Sequence, residues 1–170
     1  EWTFRVRNVP HRIFYWKQPN GAQFDTTAFA RGIERYATEV MDFFGRAPYR
    51  EYAFLFQDGA WTGGLEHPNS LTLGAPSEQL AKDPFFTMEE IAHEYFHTWN
   101  LMAIKPVEYR EVDYRIQPAV AELWFSEGLT IYYSDLLRRR AGLPTDDSTR
   151  VEQLRKMIER YYAMPALARF

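Results

Sequence analysis

His93-Glu94-Tyr95-Phe96-His97 is the stretch that decides how this chain is read. In a helix, histidines four residues apart lie about 40° apart in azimuth and about 6 Å apart along the axis, so both imidazoles can address one ion from one face. That is the spacing of zinc ligands, and the carboxylate beside the first histidine is placed to act as base toward a water at the metal. Local signals put the stretch on a helix. Thr87-Met88-Glu89-Glu90 has the form of a capping box, and Phe86 is spaced to staple onto Ile91. Ile91, Ala92, Tyr95, Phe96 and Trp99 are apolar on several sides, which predicts a buried helix running toward Pro106. A polar trio inside such a helix has to be satisfied, and a metal satisfies it.

A catalytic site of this kind needs a third protein ligand and an open fourth position. The chain has no Cys, so only His and carboxylate can serve, and beyond the motif the histidines are His11 and His67. Glu127 is the best candidate. It lies within Leu123-Trp124-Phe125-Ser126-Glu127-Gly128, an apolar setting that an unpaired charge would not choose. Gly128 beside it is expected to let two helices approach closely. Glu122 is about 140° around the same helix and faces elsewhere; Asp135, about 80° around and two turns along, is the weaker alternative.

Working outward, residues 2–7 and 12–16 alternate apolar with polar and read as strands, the second bracketed by Pro10 and the turn Pro19-Asn20-Gly21. Helical periodicity runs from Asp25 or Thr26 to Phe44, with N-caps at Asp25 to Thr27 and Gly45 and Pro48 closing it. Residues 52–56 and 70–73 read as buried strands, and Pro76 to Pro84 as a loop. Between the strands, Gly63 and Gly64 let the backbone come close to something, either another strand or a ligand. Pro118 suits a first helical turn, so Ala119 to Arg140 is expected as a long helix whose Arg138-Arg139-Arg140 end complements the helix dipole. A last helix is expected over 146–163, capped by Asp146, Asp147 or Ser148.

The 170 residues suffice for one domain with a sizeable core. Aromatics reach 17%, with 13 Phe, 11 Tyr and 5 Trp, which predicts a ring-rich interior or groove. A net charge of −3 gives no electrostatic case for nucleic acid. No apolar run is long enough for a membrane span, and no signal-peptide pattern opens the chain, so its compartment stays open. It begins at Glu1 rather than Met and is expected to be a piece of a longer protein.

His93-Glu94-Tyr95-Phe96-His97-Thr98-Trp99-Asn100 with Pro106, then Leu123 to Gly128 and Tyr132-Tyr133, resembles the glycyl aminopeptidase family of gluzincin metallopeptidases. Gly63-Gly64-Leu65-Glu66-His67 and Leu73-Gly74-Ala75-Pro76 fit the same family, so the likeness spans roughly residues 45–143. It implies an α+β, thermolysin-like catalytic domain over 1–170, with a mixed sheet whose edge strand lines the cleft and helices that carry the ligands. Flanking parts, an N-terminal β domain and a C-terminal PDZ-like domain, would lie outside this chain. The resemblance further implies one Zn2+ on His93, His97 and Glu127, with Glu94 as catalytic base. Glu66, with Gly63 and Gly64, would hold the free amine of a peptide substrate, preferably one beginning with Gly or Ala. A tyrosine supporting the oxyanion would be Tyr161 or Tyr162. Competing readings are an endopeptidase of thermolysin type and a metal-binding scaffold without turnover.

Overall fold

The computed structural model describes residues 1–109, 115 and 122–164. Strands β1 (Trp2–Val6) and β2 (Val9–Trp16) form a hairpin whose tight turn places Arg7 and Asn8 at positive φ, 46° and 66°. Asn suits that conformation better than most residues. Pro10, expected to precede the second strand, instead lies inside it opposite Arg5. It is tolerated because pairing of β2 with the next strand begins only at His11, so no ladder N–H is missed there. Helix α1 (Thr26–Phe44) follows the sequence closely: the Asp25 carboxylate accepts from the Ala28 N–H, and Gly45 closes the helix in the left-handed region at φ 75°.

β3 (Tyr52–Gln57), β4 (Gly64–His67) and β5 (Ser70–Gly74) complete a five-stranded mixed sheet of order β1-β2-β3-β5-β4. β2, β3 and β5 run parallel, while the two outer strands are antiparallel to their neighbours, so β4 is an edge strand. Strand alternation sends His11, Ile13, Tyr52, Phe54, Phe56, Leu71 and Leu73 to the helix-covered face, where all are buried. The segment Pro76 to Pro84, expected as loop, contains a helical turn, α2 (Ser77–Leu80); the Asp58 carboxylate accepts from the Ser77 N–H and steadies its start.

α3 (Met88–Phe96) lies across this core with Ile91, Ala92, Tyr95 and Phe96 buried. The Tyr36 hydroxyl donates to the Ala92 carbonyl, tying α1 to it, and Tyr95 meets Tyr52 edge-on, tying it to the sheet. The capping box does not form. Thr87 Oγ1 and Glu90 Oε2 are buried without partners, because Glu90 turns back on its own N–H and Phe86 stays half-exposed. The helix also ends earlier than Pro106 suggested: after His97 the chain passes into a wide turn, Thr98–Ala103, with bonds from Met102 N–H to His97 O and Ile104 N–H to Trp99 O. Asn100 breaks the helix there at φ −97°, ψ 69°.

α4 (Leu123–Arg140) packs beside α3, with Tyr133 stacked on Phe96 at 5.9 Å. The expected helical start from Pro118 and Ala119 and most of the connection before it lie outside the described residues. Its basic end is structural, as expected: Arg138 pairs with Asp135 and Glu89, Arg139 with Asp147, and Arg140 with Glu39. α5 (Asp147–Tyr162), capped by Asp146 onto the N–H groups of Ser148 and Thr149, has no buried residue. Among the described residues no helix is long and apolar enough to cross a membrane.

Candidate metal centre

α3 carries His93, and its C-cap residue His97 follows, both on the side turned toward α4; the second turn of α4 brings Glu127 to meet them. Their ligand atoms converge: His93 Nε2 and His97 Nε2 are 2.9 Å apart, and Glu127 Oε2 lies 3.2 Å from the first and 3.5 Å from the second. Zinc–ligand bonds of 2.0–2.1 Å in tetrahedral directions require ligand atoms about 3.3 Å apart, so the triad has the dimensions of one face of such a site.

Proton bookkeeping favours a cation as well. His97 Nδ1 faces the Asn100 carbonyl at 3.1 Å and Thr130 Oγ1 at 3.3 Å, so it carries the proton and Nε2 presents a lone pair. Glu127 Oε2 presents another. A neutral His93 has at most one Nε2 proton to share between these two acceptors, whereas one divalent ion satisfies all three groups. Burial and the adjacent His97 hold His93 below the usual histidine range, against the pull of Glu127, which keeps its ring available as a neutral ligand. His93, His97 and Glu127 are thus a group that could hold a metal ion.

Glu127 reaches this place by a different route from the one its neighbours suggested. Leu123, Trp124 and Phe125 are exposed rather than packed around it, and its own side chain is 40% exposed. Nor does Gly128 admit another helix, since a Cβ there would meet nothing within 4 Å. What directs Glu127 inward is its place on α4: Ser126 and Thr130, one residue before and three after, are buried against α3.

Glu94 points from α3 toward the sheet edge. It lies so close to β4 that a Cβ on Gly64 would stand 2.4 Å from its Cγ, so the glycine there makes room for the carboxylate. Gly63 serves a different need, a backbone at φ 114° that L side chains rarely adopt. Glu66, one residue beyond Leu65 on the same strand, hydrogen-bonds Glu94, and burial together with this neighbouring charge pushes the Glu94 carboxyl up to about 8. The two carboxyl groups therefore stand in hydrogen-bond contact beside His93, His97 and Glu127.

The structure brings together His93, His97, Glu127, Glu94, Glu66 and Gly64. Tyr161 and Tyr162 are exposed on the last turn of α5, paired ring to ring, with no hydrogen bond to any of these groups. His11 is buried in the core under α3, His67 ends β4, Glu122 flanks the start of α4, and Asp135 is engaged by Arg138 and Arg150. Sequence reasoning assigned no role to Thr130 or Asn100. Thr130 had a signal, since i+3 from Glu127 places it near the same helix face; the contacts of Asn100 depend on a chain reversal that no periodicity announces.

Residues 87–169 match the model of the M61 glycyl aminopeptidase family. The fold is similar to that of an aminopeptidase N family protein from Idiomarina loihiensis, with a TM-score of 0.75 and 27% identity over 83% of this chain and 25% of that one. The present chain therefore corresponds to about a quarter of that protein. A comparison with curated proteins gives no match. Together, the family match across the helices that carry His93, His97 and Glu127 and the likeness of the fold support the similarity of this chain to the glycyl aminopeptidase family.

Proposed function

We propose that the chain is the catalytic part of a zinc-dependent aminopeptidase of thermolysin-like architecture, which removes a small first residue such as Gly or Ala from peptides. The observation that carries this reading is the convergence of His93, His97 and Glu127 within 3.5 Å of one another, next to the Glu94–Glu66 carboxyl pair. Zinc, when bound, supplies a Lewis acid that polarises the scissile carbonyl and makes a water acidic. The rest falls to the protein. Glu94 is the group that takes a proton from the attacking water and returns it to the leaving amine. Its raised affinity for a proton suits the second task, and the charge of a dication nearby restores the first by drawing that affinity down.

Glu66 supplies the polarity of the substrate. An α-ammonium bound by Glu66 would relieve the repulsion between the two carboxylates, and it would fix where the peptide begins relative to the reacting carbonyl. β4 is an edge strand, and its outer edge can also take an extended peptide by strand addition, which favours an endopeptidase as the second reading. A metal-bound scaffold without turnover is the third.

Zinc content and hydrolysis of aminoacyl-anilides, measured together, separate these readings. Glu94→Gln should retain zinc and lose at least ~100-fold in kcat; near wild-type activity in that variant would rule out its role as base. Glu66→Ala should raise KM for free-amine substrates far more than for their N-acetylated counterparts. Equal effects on both would favour the endopeptidase, and stoichiometric zinc with no hydrolysis of either would favour the scaffold.

A further inference from the structure

The ring of His97 and the helix that carries Glu127 are held by one residue. Asn100 sits three positions beyond His97, at the point where the backbone leaves helical geometry, and only 5% of it is exposed. Leaving the helix frees its carbonyl from the ladder and turns it back onto His97 Nδ1 at 3.1 Å. Its side-chain amide reaches across to α4, where Nδ2 donates to the Ser126 carbonyl at 2.8 Å and to Thr130 Oγ1 at 3.1 Å. Ser126 immediately precedes Glu127. Thr130, fully buried, in turn stands 3.3 Å from His97 Nδ1, which closes a loop of hydrogen bonds between the two helices.

We propose that Asn100 is a positioning residue of the metal centre, coupling the orientation of His97 to the placement of Glu127, with Thr130 as the relay between them. This rests on the reading of His93, His97 and Glu127 as metal ligands. The backbone carbonyl selects the His97 tautomer that leaves Nε2 free, and the amide sets the height of α4 against α3, on which the separations within the triad depend. Groups in this position behind metal ligands commonly govern affinity by about 10–100-fold, because they fix ring direction and ligand basicity. A buried amide that only filled hydrogen-bonding capacity would stabilise the fold without favouring the metal.

The test uses the full chain and measures zinc affinity by competition with a chromogenic chelator, the visible spectrum of the Co2+-substituted protein, and unfolding of the metal-free form. Asn100→Ala removes both bonds to α4 and should weaken zinc binding about 10–100-fold and alter the Co2+ spectrum. Thr130→Val, nearly isosteric, should weaken binding in the same sense, and Thr130→Ser, which restores the hydroxyl, should recover most of it. Thr98→Val is the control: Thr98 is equally buried in the same turn, but its hydroxyl donates to Tyr52 in the sheet, 3.2 Å away, so it should lower stability while leaving zinc affinity within about two-fold. The proposal is overturned if Asn100→Ala and Thr130→Val bind zinc like the unsubstituted protein, or if Thr98→Val weakens binding as much as they do. If the unsubstituted protein binds no zinc, or binds it as well with His97→Ala, the metal-site reading itself fails and this proposal with it. Strong binding that needs His97 but ignores Asn100 and Thr130 overturns the positioning role alone.

Discussion

Replacing Gly64 with alanine, a change that adds one methyl group on an exposed edge strand, should abolish the proposed peptide hydrolysis while leaving the fold intact. The added Cβ would stand 2.4 Å from Glu94 Cγ, 2.8 Å from Cδ and 2.8 Å from Oε1. Favourable carbon contacts begin near 3.5 Å, so the carboxylate has to retreat by about 1 Å. Stability barely registers this. Gly64 lies in extended backbone with no positive φ, where alanine is easily accommodated, and the group displaced is a side chain rather than buried backbone. Turnover does register it, because misplacing a reacting group by 1 Å can cost on the order of 100-fold in rate.

The expected result for Gly64→Ala is therefore a kcat about 100-fold lower on aminoacyl-anilides, zinc content unchanged, and unfolding free energy within about 1 kcal/mol of wild type. Its neighbour provides the opposite case. At Gly63 a Cβ meets nothing within 4 Å, but φ is 114°, so Gly63→Ala should cost roughly 1–3 kcal/mol of stability and reduce kcat less than Gly64→Ala does. The reasoning is refuted if Gly64→Ala keeps kcat within three-fold of wild type, or if it loses zinc along with activity, since the clash would then act on the ligands rather than on Glu94.

Acid stability should report on His11, which donates from Nδ1 to the Val9 carbonyl and accepts at Nε2 from Tyr49, itself bonded to Tyr95. Burial lowers this histidine from the ordinary 6.5 to about 4, so it folds neutral, and its contribution to stability is complete above 6.5 and declines as the pH falls from 6.5 toward 4. The loss across that window is about 3 kcal/mol, and denaturant unfolding of wild type against His11→Gln at pH 7 and 4.5 should show it as a pH-dependent difference; parallel curves would refute it. Removing zinc with a chelator should lower Tm, and restoring zinc should reverse this in the wild type but not in His97→Ala. Asp146→Ala should cost α5 about 1 kcal/mol, visible as several-fold faster amide exchange over 147–162 with the global transition unmoved, because that helix buries nothing and depends on its cap and on pairs such as Arg155 with Glu152. A loss of global stability on that change would show α5 to be part of the cooperative core.

How much of this was legible beforehand depended on whether a feature is local. α1 could be read to within a residue, because Asp25, the apolar spacing and Gly45 each act within one turn of the chain. The two histidines were legible for the same reason, a helical repeat being the whole of their geometry. Glu127 does stand beside the two histidines, but the premise that pointed to it does not hold: its apolar neighbours are exposed, and the residues buried beneath it are the polar pair Ser126 and Thr130. The capping box failed where a local rule met tertiary packing, since Thr87 and Glu90 are buried under other constraints and their side chains do not reach each other's N–H groups.

Distant pairings were the least legible. That Gly64 is empty so that Glu94 can be full, and that Asn100 connects the ring of His97 to the helix of Glu127, are relations across 30 and 26 residues of sequence, and neither side of either pair carries the signal alone. The ligands of such a centre are chemically distinctive and few residue types can replace them, which is why a motif exposes them. The residues that place them within tenths of an ångström are ordinary: a glycine, an asparagine, a threonine. Their function lies in where three segments meet, α3, α4 and the edge of the sheet, so substitutions that leave every ligand in place should still separate metal binding from turnover, with Asn100 governing the first and Gly64 the second.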